Sequence, residues 1–153
     1  MRKNFLLCLL VLALAGFTTM ACKDGGPTGP GPLPNAFKIT DLEYTVWKGF
    51  NYWVVDCWIR AQYTNNTNSK ATVTGVAKFW YSPTAYDTVI LDPGSNRPQP
   101  DIPAGPNASG SWKSDMVGRS YYEPGTYTVE VELTAQFSNG AIKSTFSKQI
   151  TVQ

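Results

Sequence analysis

The sequence predicts an all-β fold in which seven antiparallel strands form a two-sheet sandwich. Three observations predict it. Hydrophobic and polar side chains alternate with a period of two from Ala36 to Val152, and no stretch there shows a convincing helical face. Clusters of Gly, Pro, Asn and Ser separate the alternating runs. A domain of roughly 115 residues buries about two-thirds of its unfolded surface, which suffices without a disulfide.

The first element is an export signal. Met1-Arg2-Lys3 is a basic start, an apolar run follows from Phe5 to Phe17, and small residues precede Cys22. The apolar run is shorter than the roughly 20 residues that a bilayer-spanning helix needs. Residues 1–21 are therefore predicted to be a cleaved signal peptide.

The end of this segment, Thr19-Met20-Ala21-Cys22, resembles the lipobox of bacterial lipoproteins. The resemblance implies that Cys22 carries a diacylglycerol and that the protein is anchored to a membrane of the cell envelope. Lys23, where an Asp would imply retention at the inner membrane, favours the outer membrane. Thr19 departs from the usual Leu, and the same stretch fits an ordinary signal-peptidase site. A secreted or periplasmic soluble protein is the alternative.

Residues 22–35 are predicted to be a flexible Gly/Pro linker between Cys22 and a domain at residues 36–153. Residues 25–34 read Gly-Gly-Pro-Thr-Gly-Pro-Gly-Pro-Leu-Pro, a composition that cannot bury a core and favours extended geometry. At about 3.1 Å per residue, these ten residues reach ~30 Å at most.

Charge and composition exclude several function classes. Cleavage of the signal removes Arg2 and Lys3 and leaves 11 basic and 11 acidic residues, so no basic surface remains for nucleic acid. Histidine, the commonest metal ligand and general base, is absent. We therefore expect no cofactor and no nucleic-acid partner.

The strands follow from side-chain parity. In the second strand, for example, the odd positions from Trp53 to Tyr63 are apolar or nearly so. The phase change between Ile39 and Leu42 predicts a bulge or a switch between sheets in the first strand. Asp92–Asn107 carries five prolines and is expected to be a long crossing loop. The predicted strands are Phe37–Trp47, Tyr52–Tyr63, Ala71–Tyr81, Asp87–Leu91, Ser109–Val117 and a C-terminal hairpin of Tyr127–Phe137 and Ile142–Val152.

The hairpin also receives a predicted register. Asn139-Gly140 is a preferred type I′ turn, and pairing across it places Phe137 opposite Ile142 with both apolar faces coincident. In this register Lys148 falls opposite Val131 on the core side. We therefore expect Lys148 near an edge or with its ammonium reaching out of the core.

Seven such strands indicate an immunoglobulin-like β-sandwich. Pro124-Gly125-Thr126-Tyr127-Thr128-Val129 and Asp101-Ile102-Pro103-Ala104-Gly105 also resemble bacterial immunoglobulin-like and CARDB-like adhesion modules. The resemblance implies that Tyr127 is a tyrosine corner, whose hydroxyl bonds to the backbone a few residues upstream. Val129 stands where antibody-type domains have their second cysteine. Cys57, on the core face, is therefore expected to be a buried free thiol.

The sequence offers no convincing catalytic or metal site. Glu130 and Glu132 share one strand face, which regular outward alternation explains better than a glycosidase pair. Asp87, Asp92 and Asp101 lack the spacing of a calcium loop. We predict a protein without enzyme activity.

Aromatic residues are the remaining signal, with 5 Trp, 8 Tyr and 7 Phe. Trp58 and Trp80 fall on the polar faces of their strands, and other rings lie near strand ends, which is typical of a recognition surface. The predicted function is a binding or adhesion module for a glycan or an envelope protein; the alternative is a structural accessory subunit of an envelope complex. Asp87-Thr88-Val89 also resembles a short bacterial O-glycosylation motif. The candidate binding residues are Trp58, Trp80, Trp112, Tyr121 and Tyr122.

Overall fold

The computed structural model describes residues 34–92 and 98–153. The predicted signal peptide, Cys22 and nearly all of the linker lie outside these residues. The described part of the chain contains eight strands and no helix. They are β1 (Ala36–Lys48), β2 (Trp53–Asn65), β3 (Thr72–Ser82), β4 (Ala85–Leu91), β5 (Ala108–Lys113), β6 (Val117–Tyr121), β7 (Gly125–Phe137) and β8 (Gly140–Val152).

The strands form two antiparallel sheets. In the first sheet β2 is central, with β1 on one side and β5 and β6 in succession on the other. The second sheet has the order β4-β3-β7-β8. The predicted all-β, two-sheet architecture is confirmed.

One hydrophobic core joins the two sheets. The inward positions of β2, such as Val55 and Ile59, are fully buried, as the parity of that strand predicts. They belong to the same buried cluster as Phe79 of β3 and Leu133 of β7. Burial of these inner faces is the main favourable term in folding, at roughly 25 cal/mol for each Å² of apolar surface removed from water.

The predicted irregularity in β1 is confirmed as a bulge. The pairing of β1 with β2 shifts between Ile39 and Asp41, so that Thr40 is the extra residue. The bulge lies beside the edge strand β8, where the Lys148 ammonium bonds to a carboxylate oxygen of Asp41 and to the carbonyl of Leu42, both at 2.8 Å. Lys148 therefore begins on the core side and places its charge at an edge, as predicted.

The predicted strand Ser109–Val117 is wrong in extent, because two strands, β5 and β6, occupy this region. Three residues, 114–116, stand opposite two residues of β2 and interrupt the ladder. The buried Ser114 makes the break: its hydroxyl accepts from the Ile59 N–H at 2.8 Å and its own N–H donates to the Ile59 carbonyl at 2.9 Å. The Ser114 hydroxyl thus takes the place of a backbone carbonyl as the acceptor of the Ile59 N–H.

The predicted register of the C-terminal hairpin is also wrong, by two residues. Phe137 pairs with Gly140, and Ser138 and Asn139 form the connection. Gly140 has a φ of 154°, so its conformational freedom is used in the first residue of β8 and not within the turn. A shift of two conserves side-chain parity, so Ile150 and Val152 still face the core.

The two ends of the sandwich differ. At the near end, where the chain enters β1, the Asn35 side chain bonds to Asn139 of the β7–β8 turn and to the Asn66 N–H. The far end contains the β1–β2, β3–β4 and β6–β7 turns. Every exposed aromatic residue of the described chain lies at the far end: Trp47, Phe50, Tyr52, Tyr81, Tyr86 and Tyr122.

Candidate functional site

An aromatic pair marks the outer face of the second sheet. Trp80 and Tyr86 are paired across the β3–β4 hairpin, and their ring centroids are 4.5 Å apart at an interplanar angle of 49°. The Lys78 ammonium lies 5.2 Å from the centroid of the Tyr86 ring. Cross-strand aromatic contacts and a cation over a ring each favour this arrangement. The pair is therefore held by its hairpin before any ligand arrives.

A depression of about 410 Å³ lies beside Trp80. We call it the aromatic groove; it is lined by Trp80, Tyr81, Ser82, Pro83, Thr126, Tyr127, Thr128 and Glu130. Trp80 is half-buried, so part of its ring system remains accessible. The β7 side of the groove supplies two hydroxyls and a carboxylate. The groove thus combines an aromatic surface with hydrogen-bonding groups, as small-ligand sites do.

A second depression, of about 340 Å³, adjoins the aromatic groove at Glu130. Val76 and Lys78 line it from β3, and Thr145 and Ser147 from β8. Together the two depressions cross three neighbouring strands. This extent fits an elongated ligand better than a compact one.

Several polar groups of the groove have no partner in the part of the chain that the structure describes. Within residues 34–92 and 98–153, the side chains of Thr126, Thr128 and Glu130 make no hydrogen bond or ion pair. By contrast, Glu132, two residues further along β7, forms an ion pair with Lys143, and its Oε1 lies 2.7 Å from the Lys143 Nζ. The groove therefore presents unpaired donors and acceptors beside Trp80.

A row of tyrosines forms the far-end wall of the groove. The ring of Tyr121 lies 5.3 Å from that of Tyr81 and 4.1 Å from that of Tyr127. The hydroxyl of Tyr127 donates to the Glu123 carbonyl at 2.7 Å, the upstream backbone bond that a tyrosine corner makes. The hydroxyl of Tyr81 donates to Asp87 at 2.7 Å.

These tyrosines remain neutral at physiological pH. Burial, followed by the hydrogen bond to Asp87, raises the pKa of Tyr81 to about 12. Burial also raises the pKa of Tyr121 and of Tyr127. Of these residues, Tyr81 and Tyr127 line the groove, and they do so as neutral phenols.

Two residues of the predicted binding surface are buried, which corrects that prediction. Trp112 is 3% exposed; it pairs with the buried Ala61 and its indole N–H donates to the Pro100 carbonyl at 2.7 Å. Tyr121 is 1% exposed, because β6 places it opposite Trp53 within the tyrosine row. Both side chains point inward from strands whose bounds the sequence did not reveal.

The other predicted residues lie in separate places. Trp80 lines the aromatic groove, and Tyr122, 76% exposed in the β6–β7 turn, lines a third depression of about 470 Å³ on the other side of the tyrosine wall. Trp58 lies on the outer face of the first sheet, on the opposite side of the sandwich. Trp58 and Trp80 therefore do not form one surface.

The surroundings of Trp58 are charged. The Lys113 ammonium lies 5.2 Å from the centroid of its ring, and Glu43 binds both Lys113, at 3.2 Å, and Arg60, at 2.9 Å. Trp58 itself is half-buried. The polar groups nearest to this ring are thus engaged with one another.

Sequence reasoning missed four residues of the site. Tyr86, Thr126 and Thr128 were not singled out, and Glu130 was interpreted as part of a solvated face. A signal for Tyr86 was present, because a two-residue turn at Pro83 and Thr84 brings it next to Trp80. The β7 residues could not be recognised before the pairing of β3 with β7 was known.

Cys57 is the one cysteine among the described residues, and its thiol is unreactive. Cys57 is free and fully buried in the core. Desolvation by burial, followed by the charge of Asp56, raises its pKa to about 12. A thiol with this pKa is almost entirely protonated at neutral pH, so it has little nucleophilic character.

No family model matches the chain, and no curated protein matches it. Within the described ranges, no group of three His, Cys, Asp or Glu residues is placed to hold a metal ion. Nor does any helix in them have the length and apolar character needed to cross a membrane. The candidate function therefore rests on the geometry of the aromatic groove.

Proposed function

We propose that the protein is a non-catalytic, lipid-anchored envelope protein that binds a glycan in the aromatic groove. One observation carries the proposal. The accessible ring of Trp80 lies beside Thr126, Thr128 and Glu130, which have no partners among the described residues. A sugar ring has one face of C–H groups and a rim of hydroxyls, and this groove matches both.

The energetics favour a ligand at this position. Aromatic side chains contribute a large contact area at low entropic cost, because they have only two rotatable side-chain bonds. Hydrogen bonds to a carboxylate such as Glu130 contribute about 1.5–3 kcal/mol, more than bonds to neutral groups do. Tyr86 and the β3–β4 hairpin already hold Trp80 in place, so the ring loses little side-chain entropy when a ligand binds.

The strand order supports an immunoglobulin-like sandwich within this proposal. The strand order β4-β3-β7-β8 matches the order C′-C-F-G in one sheet of such domains, and the order β1-β2-β5 matches A-B-E in the other. Tyr127 then occupies the start of the F strand and makes the expected bond to Glu123.

The charge pairing on β7 supports a binding role in place of catalysis. A glycosidase requires two carboxyl groups available to one scissile bond. Glu132 is engaged with Lys143 at 2.7 Å, which leaves Glu130 as the free carboxylate of the pair. Hydrogen bonding to a sugar hydroxyl needs one such group.

A glycan array tests the proposal, with the mature chain applied as wild type and as a Trp80→Ala/Tyr86→Ala double variant. We expect the wild type to bind a restricted set of glycans and the double variant to lose them. Circular dichroism of both proteins checks that the sandwich is intact. Mass spectrometry of the native N-terminus tests the anchor, which is expected to add a diacylglycerol to Cys22.

Two outcomes would overturn the proposal. Absence of binding to every glycan, together with stable co-purification of an envelope protein through the same residues, would assign the groove to a structural accessory subunit. Release of sugar products by the wild type would make the protein an enzyme. An unmodified Cys22 thiol would remove the lipid anchor and leave the glycan site in place.

A further inference from the structure

The β1–β2 turn at the far end exposes more aromatic surface than any other turn of the described chain. Phe50, at its tip, is 92% exposed, and Trp47 and Tyr52 on either side are 50% and 37% exposed. Exposure of large apolar side chains in one contiguous patch marks an interaction surface. The aromatic groove lies on the other sheet and does not use these residues.

The turn is held in a defined conformation. The Gly49 N–H donates to the Tyr52 carbonyl at 2.7 Å and closes the turn. Gly49 also lies against the Tyr52 ring, since a Cβ there would come within 2.7 Å of it. The Trp47 indole N–H donates to Asp56 at 2.9 Å. Trp47 and Tyr52 are thus held on either side of the tip, and Phe50 protrudes between them.

The composition of the turn fits the interface of a lipid bilayer. Trp and Tyr are enriched at membrane–water interfaces, and a Lys beside them can extend its ammonium to the headgroups. Lys48 is an exposed cation at this turn, with its ammonium 5.2 Å from the centroid of the Trp53 ring, and no Asp or Glu occurs between Tyr44 and Val55. A bilayer needs no complementary concave surface, so it accommodates a protruding Phe50, which a protein partner would have to receive in a pocket.

We infer that the β1–β2 turn inserts into a lipid surface and holds the far end of the sandwich against the membrane. The inference is independent of glycan binding.

Vesicle co-sedimentation tests the inference. The mature chain with Cys22→Ser, which cannot be acylated, is mixed with vesicles of phosphatidylethanolamine and phosphatidylglycerol. We expect measurable partitioning that changes little with salt, because aromatic insertion is the main contribution and Lys48 adds one charge. Phe50→Ser should weaken the partitioning roughly tenfold.

A matched control separates this site from general surface hydrophobicity. Ile90 is 58% exposed on the outer face of β4, so Ile90→Ser removes a similar apolar group elsewhere and should leave partitioning unchanged. Brominated lipid should quench tryptophan fluorescence in the wild type and less in Trp47→Phe. No partitioning, or equal partitioning of wild type and Phe50→Ser, would overturn the inference. Self-association lost in Phe50→Ser without lipid binding would assign the turn to a second copy instead.

Discussion

Trp58 and Trp80 each lie on the outer face of a sheet, yet their surroundings differ. Trp58 lies under Lys113, within a set of ion pairs in which Glu43 binds both Lys113 and Arg60. Trp80 contacts another aromatic ring and borders a groove whose Glu130 has no partner among the described residues. The charged groups around Trp58 are thus bound to one another, whereas the carboxylate beside Trp80 has no hydrogen bond or ion pair among the described residues.

An outward tryptophan therefore indicates a candidate binding site only when the polar groups around its ring are not already bound to one another. Polar groups already paired around a ring must lose those partners before they can bind a ligand, and this cost offsets the new bonds. Polar groups beside a ring that are bound only to water have no protein partner to lose. We therefore expect substitutions around Trp80 to change ligand affinity and substitutions around Trp58 to change stability.

The largest effect is expected at Trp80 itself. Trp80→Ala should weaken binding of the array-selected glycan about 30-fold, the range of a central aromatic contact. Trp58→Ala should change it less than about twofold, because Trp58 lies on the opposite face. Isothermal titration calorimetry measures both, and equal losses in the two variants would contradict the comparison.

Tyr86 should have the next largest effect. Tyr86→Ala removes the ring that supports Trp80 and should weaken binding about tenfold, whereas Tyr86→Phe keeps the ring and should bind nearly as the wild type does. The same titration distinguishes them. A large loss in Tyr86→Phe would show that the hydroxyl, and not the support of Trp80, is what matters.

A smaller effect is expected from Thr128. Thr128→Val keeps the shape of the side chain and removes its hydroxyl, so the loss of one hydrogen bond should weaken binding about fivefold. Thr145 lines the adjoining depression. Weaker binding by Thr145→Val would show that the ligand extends across that depression. An unchanged affinity for Thr128→Val would remove this hydroxyl from the site.

The smallest effect is expected for the ion pairs around Trp58, and it concerns stability. Hydrogen bonds from Arg60 and then Lys113 lower the pKa of Glu43, so their stabilisation is present above the ordinary pKa near 4.5 and is lost as the pH falls through the lowered value. Glu43→Gln should therefore reduce the melting temperature slightly at pH 7, with the difference closing in acid.

Glu130→Gln is the control for that measurement. Because Glu130 has no ion pair within 4 Å among the described residues, Glu130→Gln should change the melting temperature at pH 7 less than Glu43→Gln does, while it weakens glycan binding. Thermal unfolding from pH 3 to pH 8 provides the comparison. A stability loss in Glu130→Gln as large as that in Glu43→Gln would show that the two faces do not differ in the proposed way.

Much of the fold could be predicted because side-chain alternation is local information. The parity of Val55 and Ile59 indicated the inner face of β2, and the phase change after Ile39 indicated the bulge. Local patterns are weaker at strand ends and in turns. Ser114 broke a predicted strand through a hydrogen bond to Ile59, a residue 55 positions away, and no local pattern could reveal that partner.

The candidate site was predicted only in part for the same reason. Trp80 was recognised because its parity is unusual for so large a ring. Trp112 and Tyr121 were assigned to the surface because the bounds of β5 and β6 were unknown, and their burial depends on pairing with β2.

Side-chain alternation is enough to specify which faces of the strands are apolar, since a period of two places alternate side chains on opposite sides of a sheet. Which outward residues become neighbours depends on how the strands pair in three dimensions. The register of β3 against β7 brought Glu130 beside Lys78, and the pairing of β2 with β1 and β5 brought charges to Trp58. Those contacts join residues far apart in the chain, so alternation cannot specify them.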